Sequence, residues 1–359
     1  MRFSAKYFIL LVCLFGMLLA YGCSNVSPVP PPVGSASLSK LKVSGNHIVT
    51  EDGQAIRLRG VNIEDPFVLE NQDITGDGLS DPHFSDASTD LSRVKELGAN
   101  LVRVAVYPGY YFLIGERYLT DYLDPMVDLT EKNGLYIIID YHAIGRPGGW
   151  YPAEYDNTLP NFPTRVYYTD LNMAVSFWET VAARYGNRTH VLFDIYNEPA
   201  DEKSDFKWGD WRPTGETLIA VILKHSTNLI VGPGPYWSSD LSDVPNNPYS
   251  HPNVVYGVHI YPGSLNPGDN QTAEWDSRFG SLSRQYPVIV SEWGFHNGGD
   301  SVTNGTRTGY AEPLSKYMDE KNLHWLAYIY HPFAEPPMLK SDWKTLAEFG
   351  EFVKERLQN

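Results

Sequence analysis

Two carboxylates stand at positions where buried strands come to an end. Residues 191–201 read VLFDIYNEPAD and residues 287–293 read PVIVSEW, so Glu198 sits between Asn197 and Pro199, and Glu292 follows an equally apolar run. A charge at the end of a buried strand costs free energy unless it has a partner or a task. Two carboxyl groups flanking one bond are what glycoside hydrolysis needs, one protonated to donate to the leaving oxygen, the other ionised to attack the anomeric carbon or to activate water. The alternative is a structural ion pair in which Arg103 neutralises one of the two.

The elements that would position this pair follow a strand-then-helix rhythm. Candidate strands are 56–62, 100–107, 135–142, 191–198, 228–234, 254–261, 287–293 and 324–331, most of them continuously apolar, as parallel strands covered on both faces are. Between them lie helical patterns such as 86–98, 169–186 and 306–322, several ending in Gly or Asn. Pro313, inside the last of these, fits a first helical turn. Eight alternations in one chain favour an α/β fold of the closed (β/α)8 TIM-barrel type over a doubly wound sheet. In such a barrel the chemistry gathers at the C-terminal strand ends, which here carry Asn62, Arg103, His142, Asn197 with Glu198, His259 with Tyr261, and Glu292. The carboxylates then end the fourth and seventh strands.

The ordered set LVRV, DYH, IYNEP, GVHIY and VSEWGF resembles glycoside hydrolase family 5 of the clan A barrels, over essentially the whole chain from about Leu41. That resemblance implies Glu198 as general acid/base and Glu292 as nucleophile of a retaining double displacement. It also implies that Asn197 bonds the sugar 2-hydroxyl, Tyr261 holds Glu292, Arg103 keeps Glu292 ionised, and His142 and His259 line the cleavage subsite. Retention implies carboxyl groups about 5 Å apart. The sequence departs from the family at the eighth strand, where a Trp usually floors the central sugar. Trp325 lies at the start of HWLAYIYHPF, so strand alternation offers Tyr328 or Tyr330 instead, with Tyr328 the expected floor.

Pyranose faces are apolar, and Trp150, Trp208, Trp211, Trp237 and Trp293 all follow candidate strands. Trp237 and Trp293, close behind strand ends, are the expected stacking platforms, while Trp208 and Trp211 fit core packing equally well. Residues 73–81, DITGDGLSD, place Asp73, Thr75, Asp77 and Asp81 somewhat as a calcium loop does, but the twelfth position is Phe84 and not Glu. An acidic surface turn is the preferred reading, calcium the alternative, and no cofactor is required.

The bulk properties suit this chemistry. The chain has 359 residues, enough for one large core, and a formal net charge of -15, which argues against nucleic acid as partner. Residues 1–23 combine Arg2, Lys6 and an apolar stretch too short for a membrane span, and read as a secretory signal whose end, Ala20-Tyr21-Gly22-Cys23, resembles the lipoprotein box with Cys23 as the lipidated residue. Cys13, the only other cysteine, lies inside that signal. Residues 24–40 form a Pro/Ser-rich tether, and 41–359 the catalytic domain. The expectation is an extracytoplasmic monomer, secreted or held by a lipid anchor, acting on β-1,4-linked polysaccharide of the cellulose or mixed-linkage type. β-Mannan, exo-acting β-glucosidase action and non-catalytic glycan binding are the competing readings.

Overall fold

The structure, a computed structural model, describes residues 38–71, 83–152, 165–202, 206–264 and 271–359. The signal with Cys23, most of the tether, and the candidate calcium loop with Asp73, Thr75, Asp77 and Asp81 lie outside the described residues.

Eight parallel strands close into a barrel: β1 Arg59–Ile63, β2 Leu101–Val106, β3 Tyr136–Tyr141, β4 Val191–Asp194, β5 Ile230–Pro233, β6 Val254–Ile260, β7 Val288–Trp293 and β8 His324–Ala327. Pairing runs through them in chain order, and β8 returns to β1 with Trp325 opposite Arg59. Every candidate strand is found, although β4 ends at Asp194, short of the expected 198. Beyond it the chain crosses to the loop after β3, where Asn197 N donates to Tyr141 O at 3.1 Å and Glu198 N to Ala143 O at 3.0 Å. Glu198 and Pro199 thus form a two-residue parallel pair with Ile144–Gly145 at the barrel mouth.

Helices cover the outside. Leu171–Tyr185 begins at Asp170, whose carboxylate accepts from Met173 N at 2.8 Å and satisfies one of the unpaired amide donors of the first turn. A π-helical turn, Arg307–Ala311, runs into the helix Glu312–Glu320, so Pro313 follows a widened turn, and the Gly309 carbonyl accepts from Gln271 Nε2 at 3.2 Å. The layer is irregular after β5. There the chain makes only the short turns Pro235–Ser238 and Val244–Asn246 before β6.

The interior is divided. Its N-terminal half is filled by Leu58, Leu101, Ile138, Leu192, Val231 and Ile289, and an antiparallel hairpin, Leu41–Ser44 with His47–Thr50, closes that end by adding Leu41 and Ile48 to the same cluster. At the other end the inward positions turn polar. No helix among the described residues is long and apolar enough to cross a membrane.

Candidate active site

Arg103 on β2 is the centre of the mouth. It is buried, and each of its five N–H donors has a partner: Nε meets Asp194 at 2.9 Å, Nη1 meets Asn62 at 3.0 Å and Glu292 at 2.8 Å, and Nη2 meets Asn197 at 2.9 Å and Asp140 at 3.0 Å. Burial alone would lower its pKa, but Asp140, Asp194 and Glu292 raise it above the ordinary value. The guanidinium therefore stays charged and ties together side chains from four other strands or their ends.

Glu292 reaches this centre because β7 is irregular. Val290 and Val288 face the helices and Ile289 faces the interior, yet the register slips between Val290 and Trp293 against β8, with a matching slip at Val258 and His259 on β6. A bulge of this kind re-aims side chains. Here it turns Glu292 inward, where Oε1 takes the Arg103 bond and Oε2 accepts from the Tyr261 hydroxyl at 2.9 Å. Burial pushes Tyr261 well above its ordinary value, so it remains a donor.

Glu198 lies across the mouth with 16% of its side chain exposed and bonds His259 Nδ1 at 3.0 Å. His259 is also 3.6 Å from Glu292, and ligand atoms of the three residues lie within 4.8 Å of one another. Burial, followed by the Glu292 charge, holds Glu198 well above the usual carboxylate range. Burial raises Glu292 as well, but Arg103, His142 and the Tyr261 hydroxyl oppose it. Arg103 sits beside Glu292 and opposes its rise, as expected, but the single cation is shared with two other buried carboxylates and burial still raises Glu292 above its ordinary value. What the arrangement secures is a difference: the proton shared by the pair rests on Glu198.

His259 and His142 are both held neutral. Burial is the largest cause for each, and His142 is lowered to about 4. His142 Nδ1 bonds Asp140 at 2.5 Å, which leaves its other ring nitrogen to the cleft. Asp140 and Asp194 were not foreseen. Burial raises them to about 7 and about 8, with Arg103 opposing. Asp140 was accessible to the reasoning that selected His142, since residues two apart on a strand share a face.

The cleft above these groups encloses about 680 Å³, and His142, Asn197, Glu198, His259, Tyr261 and Glu292 all border it. Trp237 and Tyr328 line it too, Tyr328 edge-on to Tyr261 at 6.5 Å. Tyr330 is buried among the core residues, because the strand ends at Ala327 and alternation stops there. Trp293 is a correction. The bulge that turns Glu292 in turns Trp293 out, fully buried among Trp325, Phe349 and Phe352, with no surface for a sugar. Trp208 and Trp211 are likewise buried, and their indole N–H groups bond Asn247 O and Pro233 O. Tyr167, Asp300 and Glu335 border the cleft from loops that carry no sequence signal.

Glu198, His259 and Glu292 are also metal-ligating types at suitable spacing. Both oxygens of Glu292 are already engaged by Arg103 and Tyr261, and a guanidinium 2.8 Å from Oε1 opposes a second cation at that spot. The donor set fits an acid and a nucleophile better than an ion.

The model of the family described as Cellulase (glycosyl hydrolase family 5) matches residues 49–333. The chain belongs to glycosyl hydrolase family 5. Among family 5 relatives it is 27% identical to Endoglucanase A of Butyrivibrio fibrisolvens over 76% of this chain, and 24% identical to Endoglucanase N of Pectobacterium atrosepticum over 96% of it. The chain spans 56% and 70% of the length of those two proteins. A β-glucanase from Saccharophagus degradans superposes with a TM-score of 0.79 at 24% identity, over 92% of this chain and 96% of that one, and has also been solved in complex with cellotetraose.

Proposed function

We propose that the chain is a retaining endo-β-1,4-glucanase acting on cellulose-type or mixed-linkage glucan. The observation that carries the reading is the pair Glu198 and Glu292, with carboxylate atoms within 4.8 Å of one another in unlike surroundings. That spacing suits attack by one carboxylate on the anomeric carbon and leaves no room for a water between them. In the first step Glu292 forms a bond to the anomeric carbon, the glycosidic C–O bond breaks, and the Glu198 proton passes to the departing oxygen. Glu198, now ionised, then takes a proton from water, whose oxygen displaces Glu292 from the same carbon. Two inversions give net retention.

Tyr261 and Arg103 hold Glu292 at both oxygens, so attack requires little reorganisation. Asn197, fixed by Arg103, is assigned to the sugar 2-hydroxyl, the neutral His142 and His259 to the cleavage subsite, and Tyr328 with Trp237 to the ring faces. The glucan assignment takes support from the endoglucanase names of the relatives and from the β-glucanase that binds cellotetraose. A monomer, outside the cytoplasm and attached through a lipid on Cys23, completes the reading; mass spectrometry of the N-terminal peptide from the native host tests the attachment.

The function is tested with carboxymethylcellulose, lichenan and glucomannan. Reducing ends from the two glucans, with mixed oligosaccharides as early products, are expected. Faster release from glucomannan would move the assignment to mannan, and binding without release would favour a glycan-binding protein.

A further inference from the structure

The turn after β5 has an unusual backbone. Tyr236, Trp237 and Ser238 are consecutive non-glycine residues with φ of 57°, 56° and 56°. Bulky residues rarely adopt this left-handed region, and such strain persists only where the surroundings fix it. Here they do so twice. The fully buried Ser238 donates its hydroxyl to Asn197 O at 2.5 Å, and Gly234 lets Asp240 O approach so closely that a Cβ at 234 would lie 2.2 Å from it. The turn is therefore bolted to the backbone beside Glu198. Trp237 faces the catalytic cleft, and Tyr236, 37% exposed, lies on the crest behind it.

A second cavity opens beyond that crest. It encloses about 710 Å³ and shares Tyr236, Ser239 and Arg278 with the catalytic cleft, so the two adjoin along those residues. It lies between the start of the Trp208–Leu223 helix and the segment around Arg278, where a (β/α)8 repeat would place its fifth helix and this chain has only short turns. The floor is fixed by a bond from Leu241 N to Arg278 O at 2.8 Å. Its charged groups alternate in sign: Lys207 and Arg278 against Asp240, Asp243 and Glu274, with Arg278 and Glu274 paired at 2.6 Å. Mixed charge with no excess cation suits a neutral, many-hydroxyl ligand better than a polyanion.

We propose that this groove is a second saccharide-binding site, which holds the leaving-group portion of a long β-glucan chain after it has passed over Tyr236. The inference rests on the hydrolase reading above. The direction follows from chemistry: the proton donor Glu198 faces the departing oxygen, and the strained turn that begins the groove is attached to the residue before Glu198. The sugar units that leave first are then the ones the groove holds, so long chains gain an advantage that short substrates do not.

The test compares cellohexaose with p-nitrophenyl β-cellobioside, whose leaving group is a single ring. Tyr236→Asn removes the ring while keeping a residue that tolerates positive φ. It is expected to lower kcat/KM on cellohexaose roughly tenfold, the loss of one stacking contact, and that on the aryl substrate by a clearly smaller factor, since Tyr236 also borders the catalytic cleft. Tyr236→Phe restores the longer substrate. Asp243→Ala, an exposed residue that borders only the second groove, gives a smaller one-sided loss and serves if Tyr236→Asn fails to fold. An equal fall on both substrates, or no fall on cellohexaose in either variant, overturns the groove. A wild type that cleaves neither substrate overturns the hydrolase reading and this proposal with it.

Discussion

The two ends of the barrel interior are built from opposite chemistry. At the N-terminal end Leu58, Leu101, Leu192 and Ile289 meet the hairpin residues Leu41 and Ile48 in a layer without charge. At the C-terminal mouth, two or three residues further along the same strands, a single guanidinium faces Asp140, Asp194 and Glu292, with Glu198 close by. The apolar end gains free energy from every atom it buries. The mouth buries more negative charge than it can neutralise and must hold protons. That surplus goes with Glu198, Asp140 and Asp194 all raised above the ordinary carboxylate range.

Removing chemistry from the mouth should show the largest effect. Glu292→Ala is expected to lower kcat on glucan by about 10⁴-fold or more while the protein stays folded, since a nucleophile acts as a unit with its partners; assays on folded variant protein check this, and residual turnover near wild type would remove Glu292 from its role. Glu198→Ala should cost about 10²–10⁴-fold on glucan, the usual range for a general acid. Its loss should shrink on aryl glycosides, whose leaving groups need no proton.

Cutting into the apolar end should do the reverse. Leu192→Ala removes a buried side chain opposite Ile138 in the same cluster and is expected to cost about 2–5 kcal/mol of stability, read from denaturant midpoints, with kcat per folded molecule unchanged. A lowered kcat would mean that the two ends are not independent.

The charge surplus predicts a pH dependence. Burial raises Asp194 in the folded state to about 8, so between the ordinary Asp range and that value the folded protein binds more protons than the unfolded one. Stability must therefore fall as pH rises through this window. Asp194→Asn should flatten the decline in thermal midpoint between pH 5 and pH 8, and an unchanged slope would place the surplus elsewhere. Activity follows the pair, with an acid limb set by ionisation of Glu292 and an alkaline limb by loss of the Glu198 proton. Because burial raises both, the optimum should lie above that of ordinary exposed carboxylates. The smallest effect separates two tryptophans: Trp293→Phe should cost about 1 kcal/mol of stability and leave KM alone, whereas Trp237→Ala should raise KM.

Much of this was legible in the sequence, for identifiable reasons. Candidate strands that are mostly continuously apolar fit strands covered on both faces, and all eight lie in the barrel. Glu198 and Glu292 stood out because nothing local accounts for their charge. The reading failed where geometry departs from strict alternation. The bulge in β7 reverses the side on which Trp293 falls, and the end of β4 at Asp194 moves Glu198 onto a separate short pairing. Asp140 and Asp194 lay inside quoted motifs, but their number around one guanidinium is a property of the closed barrel. Glu335 and Asp300 reach the cleft from loops, where spacing carries no information.

The central claim is that Glu292 forms a bond to the sugar while Glu198 holds the proton. A 2-deoxy-2-fluoro cellobioside with a good leaving group slows breakdown of that bond and traps it. Peptide mass spectrometry of the inactivated protein should place one fluorocellobiosyl group on the peptide containing Glu292. Inactivation with the label on Glu198, or hydrolysis of glucan with first release of the α-anomer and no trapped species, would contradict the account.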